Sequence, residues 1–124
     1  MYIILTKSPI TKKKFRVTFP DGTTTDFGLE PYSDYTRHRN PLRMRSYVSR
    51  HGGIIPKSVM KLKDPKEVNR KMASVSLSDK ERWTKKGIKT PGFWSRWLLW
   101  SSPSLSGAIK IIENKFKVDI KFKN

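Results

Sequence analysis

The amino-acid sequence predicts a single α+β domain over residues 1–124, a small antiparallel sheet packed by about three short helices. Three observations predict it. Near both ends apolar residues alternate with polar ones, the period of a half-buried strand. Between them apolar residues recur at i, i+3, i+4 and i+7, the period of an amphipathic helix. The third is the stretch Gly92-Phe93-Trp94-Ser95-Arg96-Trp97-Leu98-Leu99-Trp100, which holds three of the four tryptophans and supplies the largest apolar surface in the chain.

Tyr2-Ile3-Ile4-Leu5 is β-branched and aromatic and predicts a short buried strand, broken at Ser8-Pro9. From Lys14 to Phe19 the chain alternates, with Phe15, Val17 and Phe19 on one face and Lys14, Arg16 and Thr18 on the other. Pro20-Asp21-Gly22 then makes a turn, because proline presets φ and glycine accepts a positive one. Thr23 to Phe27 returns, so residues 14–28 read as a β-hairpin. Asn40-Pro41 is a helix start, with Asn40 as N-cap and Pro41 in the first turn. Met44, Tyr47, Val48 and His51 follow on one face, and Gly52-Gly53 stops the helix near residue 51.

Residues 54–77 carry few large apolar side chains and lysines at 57, 61, 63, 66 and 71. This composition predicts an extended arm or insertion without a core of its own. Asp64-Pro65-Lys66-Glu67 and Ser78-Asp79-Lys80-Glu81 both have the spacing of a capped helix start, and the second would place Trp83 on its helix. Lys85-Lys86-Gly87-Ile88-Lys89 is a basic loop into the tryptophan stretch. Read as a helix near 92–101, that stretch puts Phe93, Trp97 and Trp100 on one face as structural core. Trp94 lies on a second stripe, and Arg96 faces away from the first. Trp94 and Arg96 are therefore the expected partner-binding side, since both residue types are favoured interface anchors. Ser104 caps a helix bearing Leu105, Ala108, Ile109 and Ile112. Phe116, Val118, Ile120 and Phe122 then alternate with Lys117, Asp119, Lys121 and Lys123, a strand near 116–122 whose lysine face suits a sheet edge.

Charge bounds the partners. Lys plus Arg is 27 and Asp plus Glu is 10, a net +17. It is spread: residues 1–62 hold 12 basic and 4 acidic side chains (+8), residues 63–124 hold 15 and 6 (+9). A basic surface of this kind calls for an acidic partner: nucleic acid, anionic lipid or an acidic protein face. The densest arginine run, Arg37, Arg39, Arg43, Arg45 and Arg50, is interleaved with Tyr35 and Tyr47. Of these, Arg37, Arg43 and Arg50 are candidate partner contacts, because the guanidinium fork suits phosphate and carboxylate. Lys85, Lys86 and Lys89 are candidate contacts to phosphate or another acidic surface.

Enzymatic chemistry has little support. There are no cysteines, so thiolate nucleophiles and thiolate metal sites are excluded. His38 and His51 have neither a histidine at i±4 nor a carboxylate cluster beside them, and no metal or cofactor is expected. No phosphate-binding or dinucleotide glycine motif is present. No apolar run approaches the roughly 20 residues that span a bilayer.

Several stretches in order carry a resemblance: Phe19-Pro20-Asp21-Gly22 followed by Asp26-Phe27-Gly28, Ser33-Asp34-Tyr35-Thr36-x-His38, Tyr47-x-x-Arg50-His51, Gly87-Ile88-Lys89-Thr90, Gly92 to Trp100, and Pro103-Ser104-Leu105. Together they resemble a family of small basic proteins encoded by nucleocytoplasmic large DNA viruses. The likeness covers about residues 15–51 and 81–107. Two departures stand out: residues 52–80 separate the Arg-His pair from Glu81-Arg82-Trp83, and Pro91 replaces a small residue. The resemblance implies viral origin and no catalytic residues. The expected function is thus a virion structural protein, a minor capsid or capsid-associated protein on the inner face of the shell. Its partners would be other capsid proteins, and it would pass through host cytoplasm or nucleus during assembly. The alternative is a non-specific nucleic-acid-binding or genome-packaging protein.

Overall fold

A computed structural model of the chain describes residues 1–123. Tyr2–Lys7 forms β1, Lys13–Thr18 forms β2 and Thr24–Leu29 forms β3. The hairpin closes through Pro20-Asp21-Gly22, where Gly22 has φ +86° and Phe19 and Thr23 are joined by a 2.9 Å backbone hydrogen bond. Two short helices follow, α1 at Tyr35–His38 and α2 at Pro41–Arg50. The Asn40 side chain accepts from the Leu42 and Arg43 amides, as its position before Pro41 predicts. Then come α3 at Lys57–Met60, α4 at Pro65–Met72 and a 3₁₀ turn at Lys85–Gly87. The tryptophan stretch holds α5 at Pro91–Trp94 and a π-helical turn at Ser95–Leu99. The chain ends with α6 at Leu105–Phe116 and β4 at Asp119–Phe122.

The fold is α+β. The strands form one sheet in the order β3-β2-β1-β4. The hairpin and the β1–β2 pair are antiparallel, but β4 runs parallel to β1, with Ile3 opposite Ile120. The sheet is therefore mixed, not wholly antiparallel. Alternation reports which face a residue takes, not strand direction. Direction is set by α6, which ends at Lys117 in the left-handed region (φ 57°) and turns the chain straight back. Phe116 belongs to that helix, so the last strand is shorter than 116–122 and sits at the edge.

Residues 54–77 are not an arm. Val59, Val68, Met72 and Val75 are buried in the common core. Four small anchors suffice because polar ties replace missing apolar ones. Arg45 donates to the Val59 and Leu62 carbonyls, both at 2.8 Å, and Tyr35 Oη donates to Asn69 Oδ1 at 2.7 Å. Ser78 starts no helix either. Its Oγ accepts from the Lys80 and Glu81 amides, but Glu81 turns away to His51 instead of closing the capping box.

The core lies between the sheet face of Ile3, Leu5, Val17 and Phe27 and the layer made by α6 and the tryptophan stretch. Phe93 and Trp97 pack on Phe116 with centroids at 4.8 and 5.5 Å. Trp94, not Trp97, meets the hairpin through Phe19 and Phe27. A π turn bonds i to i+5, so residues beyond it slip around the axis by roughly the 100° of one residue. That slip takes Trp100 off the Phe93–Trp97 face and leaves it half-buried against α2. No helix among the described residues is long and apolar enough to cross a membrane.

Candidate functional site

A cleft of about 580 Å³ opens between the open end of the hairpin, α2 and the tryptophan stretch. One wall is an aromatic stack. Trp100 lies on Tyr47 with centroids 4.1 Å apart and planes 3° apart, and Tyr47 lies on His51 at 4.0 Å. The 3- and 4-residue spacings along α2 and the slip at the π turn bring these rings together. Burial raises the Tyr47 phenol above its usual pKa, and the nearby Glu81 carboxylate adds to that, so Tyr47 stays neutral.

His51 Nδ1 sits 2.6 Å from Glu81 Oε2. Glu81 in turn lies against Gly92, where a Cβ would collide with the carboxylate as it is placed, so the bare glycine leaves room for this rotamer. At the floor, Lys14 is buried although alternation assigns it the outer face of β2. Its side chain crosses the bare backbone of Gly28 (φ +79°) and pairs with Asp34 Oδ2 at 2.6 Å. Asp34 is also the N-cap of α1. Two carboxylates thus line the cleft, and both are held by internal cationic or imidazole partners. Lys13, Arg43 and Arg50 line it as exposed side chains, and among the described residues none has a carboxylate partner. The cleft is therefore cationic, with an aromatic wall.

Glu81 orients the His51 ring, but among the described residues that ring makes no hydrogen bond to a hydroxyl it could activate. No group of three or more His, Asp or Glu side chains among the described residues is placed to hold a metal ion.

The residues singled out from sequence divide. Arg43, Arg50 and Trp100 are brought together at the cleft. Arg37 is exposed and pairs with Glu30 at 2.9 Å. Lys85 and Lys86 are exposed on the 3₁₀ turn. Lys89 pairs with Asp21 at the hairpin tip, so it lies at the opposite end of the hairpin from the cleft, roughly 15–20 Å away for six-residue strands.

Phe93 and Trp97 are fully buried. Trp94 and Arg96 are fully buried too, so neither can be the outward, partner-binding side of the stretch. Trp94 Nε1 donates to the Ile88 carbonyl at 2.6 Å. Arg96 donates to Met72, Val75 and Trp100 carbonyls at 2.8, 2.9 and 2.7 Å and stacks over Trp97. Burial pulls its pKa down to about 9, still above neutrality, so the guanidinium remains charged at pH 7. Periodicity assigned Arg96 to solvent because it cannot see the carbonyls that Met72 and Val75 present at and just beyond the end of a distant helix.

Sequence reasoning missed Lys13, the Lys14–Asp34 pair, Tyr32 and Glu81. Only Glu81 carried a signal, as the capping residue of a helix that does not form.

A family model described as a family of unknown function (DUF5754) matches residues 3–51. That span supplies the hairpin, α1 and α2, hence the cleft's Lys13, Lys14, Asp34, Arg43, Tyr47, Arg50 and His51, but not Glu81 or Trp100. No curated protein and no solved structure matches the chain.

Proposed function

We propose that this protein is a virion structural protein of a large double-stranded DNA virus, a minor capsid or capsid-associated component on the inner face of the shell. It would act by laying a basic surface against acidic ones. One observation carries the reading. Of the 10 acidic side chains, Asp21, Asp26, Glu30, Asp34 and Glu67 are committed to ion pairs within the protein, and Glu81 is bonded to His51. Most of the 27 lysines and arginines are left to solvent without local compensation. Such a surface repels itself and is relieved by a counter-charged partner. The viral context rests on the sequence resemblance.

With Trp94 and Arg96 inside, the contact with capsid subunits falls to the cationic exterior, including Arg43, Arg50, Lys85 and Lys86. Quantitative mass spectrometry of purified particles tests the reading: the protein is expected at stoichiometric abundance, and its absence from particles overturns it.

The even spread of charge also favours genome contact as a second reading. Duplex DNA binding would then weaken steeply between about 50 and 200 mM salt, with a log–log slope near −0.9 per phosphate neutralised. Weak DNA binding at physiological salt, with a co-purifying capsid subunit lost on reversing Arg43 or Lys86, would favour the shell contact instead.

A further inference from the structure

We infer that the cleft between the hairpin and α2 binds one nucleotide unit, its phosphate on Arg43, Arg50 and Lys13 and its base against Tyr32 and the edge of the Trp100–Tyr47 stack. The volume, about 580 Å³, lies in the range of small-ligand sites and is too small for a folded partner's face. The charge selects an anion. Asp34 is already paired with Lys14 and Glu81 is bonded to His51, while Lys13, Arg43 and Arg50 stand exposed around the opening.

The aromatic content selects a planar group. Tyr32 stands at the mouth with 66% of its surface exposed, so its ring is open to a ligand in the cleft. Trp100 is held rigid by the parallel Tyr47 ring, so its edge is a fixed wall. Cations beside an exposed ring are the recurring means of holding a nucleotide without reading its sequence. A carboxylate-bearing peptide would use the cations and leave Tyr32 idle.

This inference goes beyond the general polyanion surface, because it depends on Tyr32, which carries no charge. A free nucleotide and one nucleotide of a single strand present the same chemistry. The test therefore uses two probes, thymidine monophosphate by calorimetry and a short fluorescein-labelled oligothymidylate by anisotropy. The variants are Tyr32→Ala, which removes a mostly exposed ring, Arg43→Glu, and the double Lys85→Ala/Lys86→Ala, which removes the same two units of charge, as a charge-matched control away from the cleft.

Tyr32→Ala and Arg43→Glu are each expected to weaken binding roughly tenfold, the scale of one lost base stack. The lysine double variant should leave monophosphate affinity unchanged. Binding of both probes assigns the site to free nucleotides; Tyr32-dependent binding of the oligonucleotide alone assigns it to a strand. The inference is overturned if Tyr32→Ala binds both probes like the native protein. If the lysine variant then loses as much oligonucleotide affinity as Arg43→Glu, the contact is backbone charge only and the polyanion surface stands without a cleft ligand. Equal competition by oligoglutamate, unaffected by Tyr32→Ala, also overturns it. Binding of neither probe overturns it too, while particle abundance still decides the virion reading separately.

Discussion

Arg96 donates to the Val75 carbonyl at 2.9 Å and to the Met72 carbonyl at 2.8 Å, joining the tryptophan stretch to the end of α4. The Met72 carbonyl also accepts from the Val75 amide at 3.1 Å; Arg96 Nη2 serves both carbonyls while Nη1 serves that of Trp100, so the planar guanidinium ties three acceptors at once. Arg96→Met would restore apolar volume but orphan the Val75 and Trp100 carbonyls and leave that of Met72 with the Val75 amide alone. The gain from not burying a charge offsets part of the loss. We expect a net destabilisation of about 2–4 kcal/mol by chemical denaturation. Arg96→Lys should rescue only in part, because a single ammonium cannot serve the Trp100 carbonyl, which Nη1 holds, together with the two on Nη2. Full rescue by lysine would show that charge, not the fork, is what matters.

The same tie predicts the protease map. In the native protein residues 54–77 should resist trypsin despite their lysines, since Val68 and Met72 are fully buried and α4 is anchored at its end. In Arg96→Met this segment should be cut first. Rapid cleavage there in the native protein would contradict the packing of α4.

Trp97→Ala removes a fully buried ring that touches Phe116 and lies under Arg96. A loss of about 3–5 kcal/mol is expected, most of the stability available to a small domain. Because Trp97 Nε1 also donates to the Trp83 carbonyl at 2.8 Å, Trp97→Phe should still cost about 1–3 kcal/mol. An unchanged melting temperature in either variant would be incompatible with this core.

Gly92→Ala adds a methyl where the Glu81 carboxylate lies. The conflict is with Oε1 at the end of the Glu81 side chain, so the carboxylate turns aside and its Oε2 bond to His51 loosens. We expect about 1–3 kcal/mol of destabilisation, as for other overpacked sites. Glu81→Gln in the same background should recover none of it, because the steric conflict remains. Glu81→Ala should recover part.

His38 makes stability depend on pH. Burial lowers its pKa below 6.5, and Arg43 and Lys14 push the same way while Asp34 opposes them. Its Nδ1 already accepts from the Asn40 amide at 3.0 Å. The folded state therefore holds His38 neutral, and the unfolded chain takes up its proton first. The contribution is complete above about pH 6.5 and is lost as pH falls through the folded pKa. His38→Asn keeps an acceptor for the Asn40 amide and removes the titration. Its melting temperature should fall less than that of the native protein between about pH 6.5 and 5. Parallel curves would remove His38 from the pH response.

Local chemistry determined much of this protein by itself. Pro20-Asp21-Gly22 closes the hairpin, Asn40-Pro41 starts α2, Gly52 with φ +81° ends it, and Ser104 caps α6 through the Gly107 amide. Each is settled by neighbours a few residues away, so sequence spacing is enough to read it. The charge balance is likewise a property of composition.

Tertiary structure decided the direction of β4, the packing of residues 54–77 and the inward turn of Arg96. It also decided the slip that carries Trp100 to Tyr47. In each case the deciding partner is far along the chain. Arg96 is buried because Met72 and Val75 leave carbonyls at that point, and Lys14 is buried because Gly28 leaves a gap and Asp34 a charge. Periodicity records how apolar a face is; it does not record which distant acceptor makes a charged side chain worth burying.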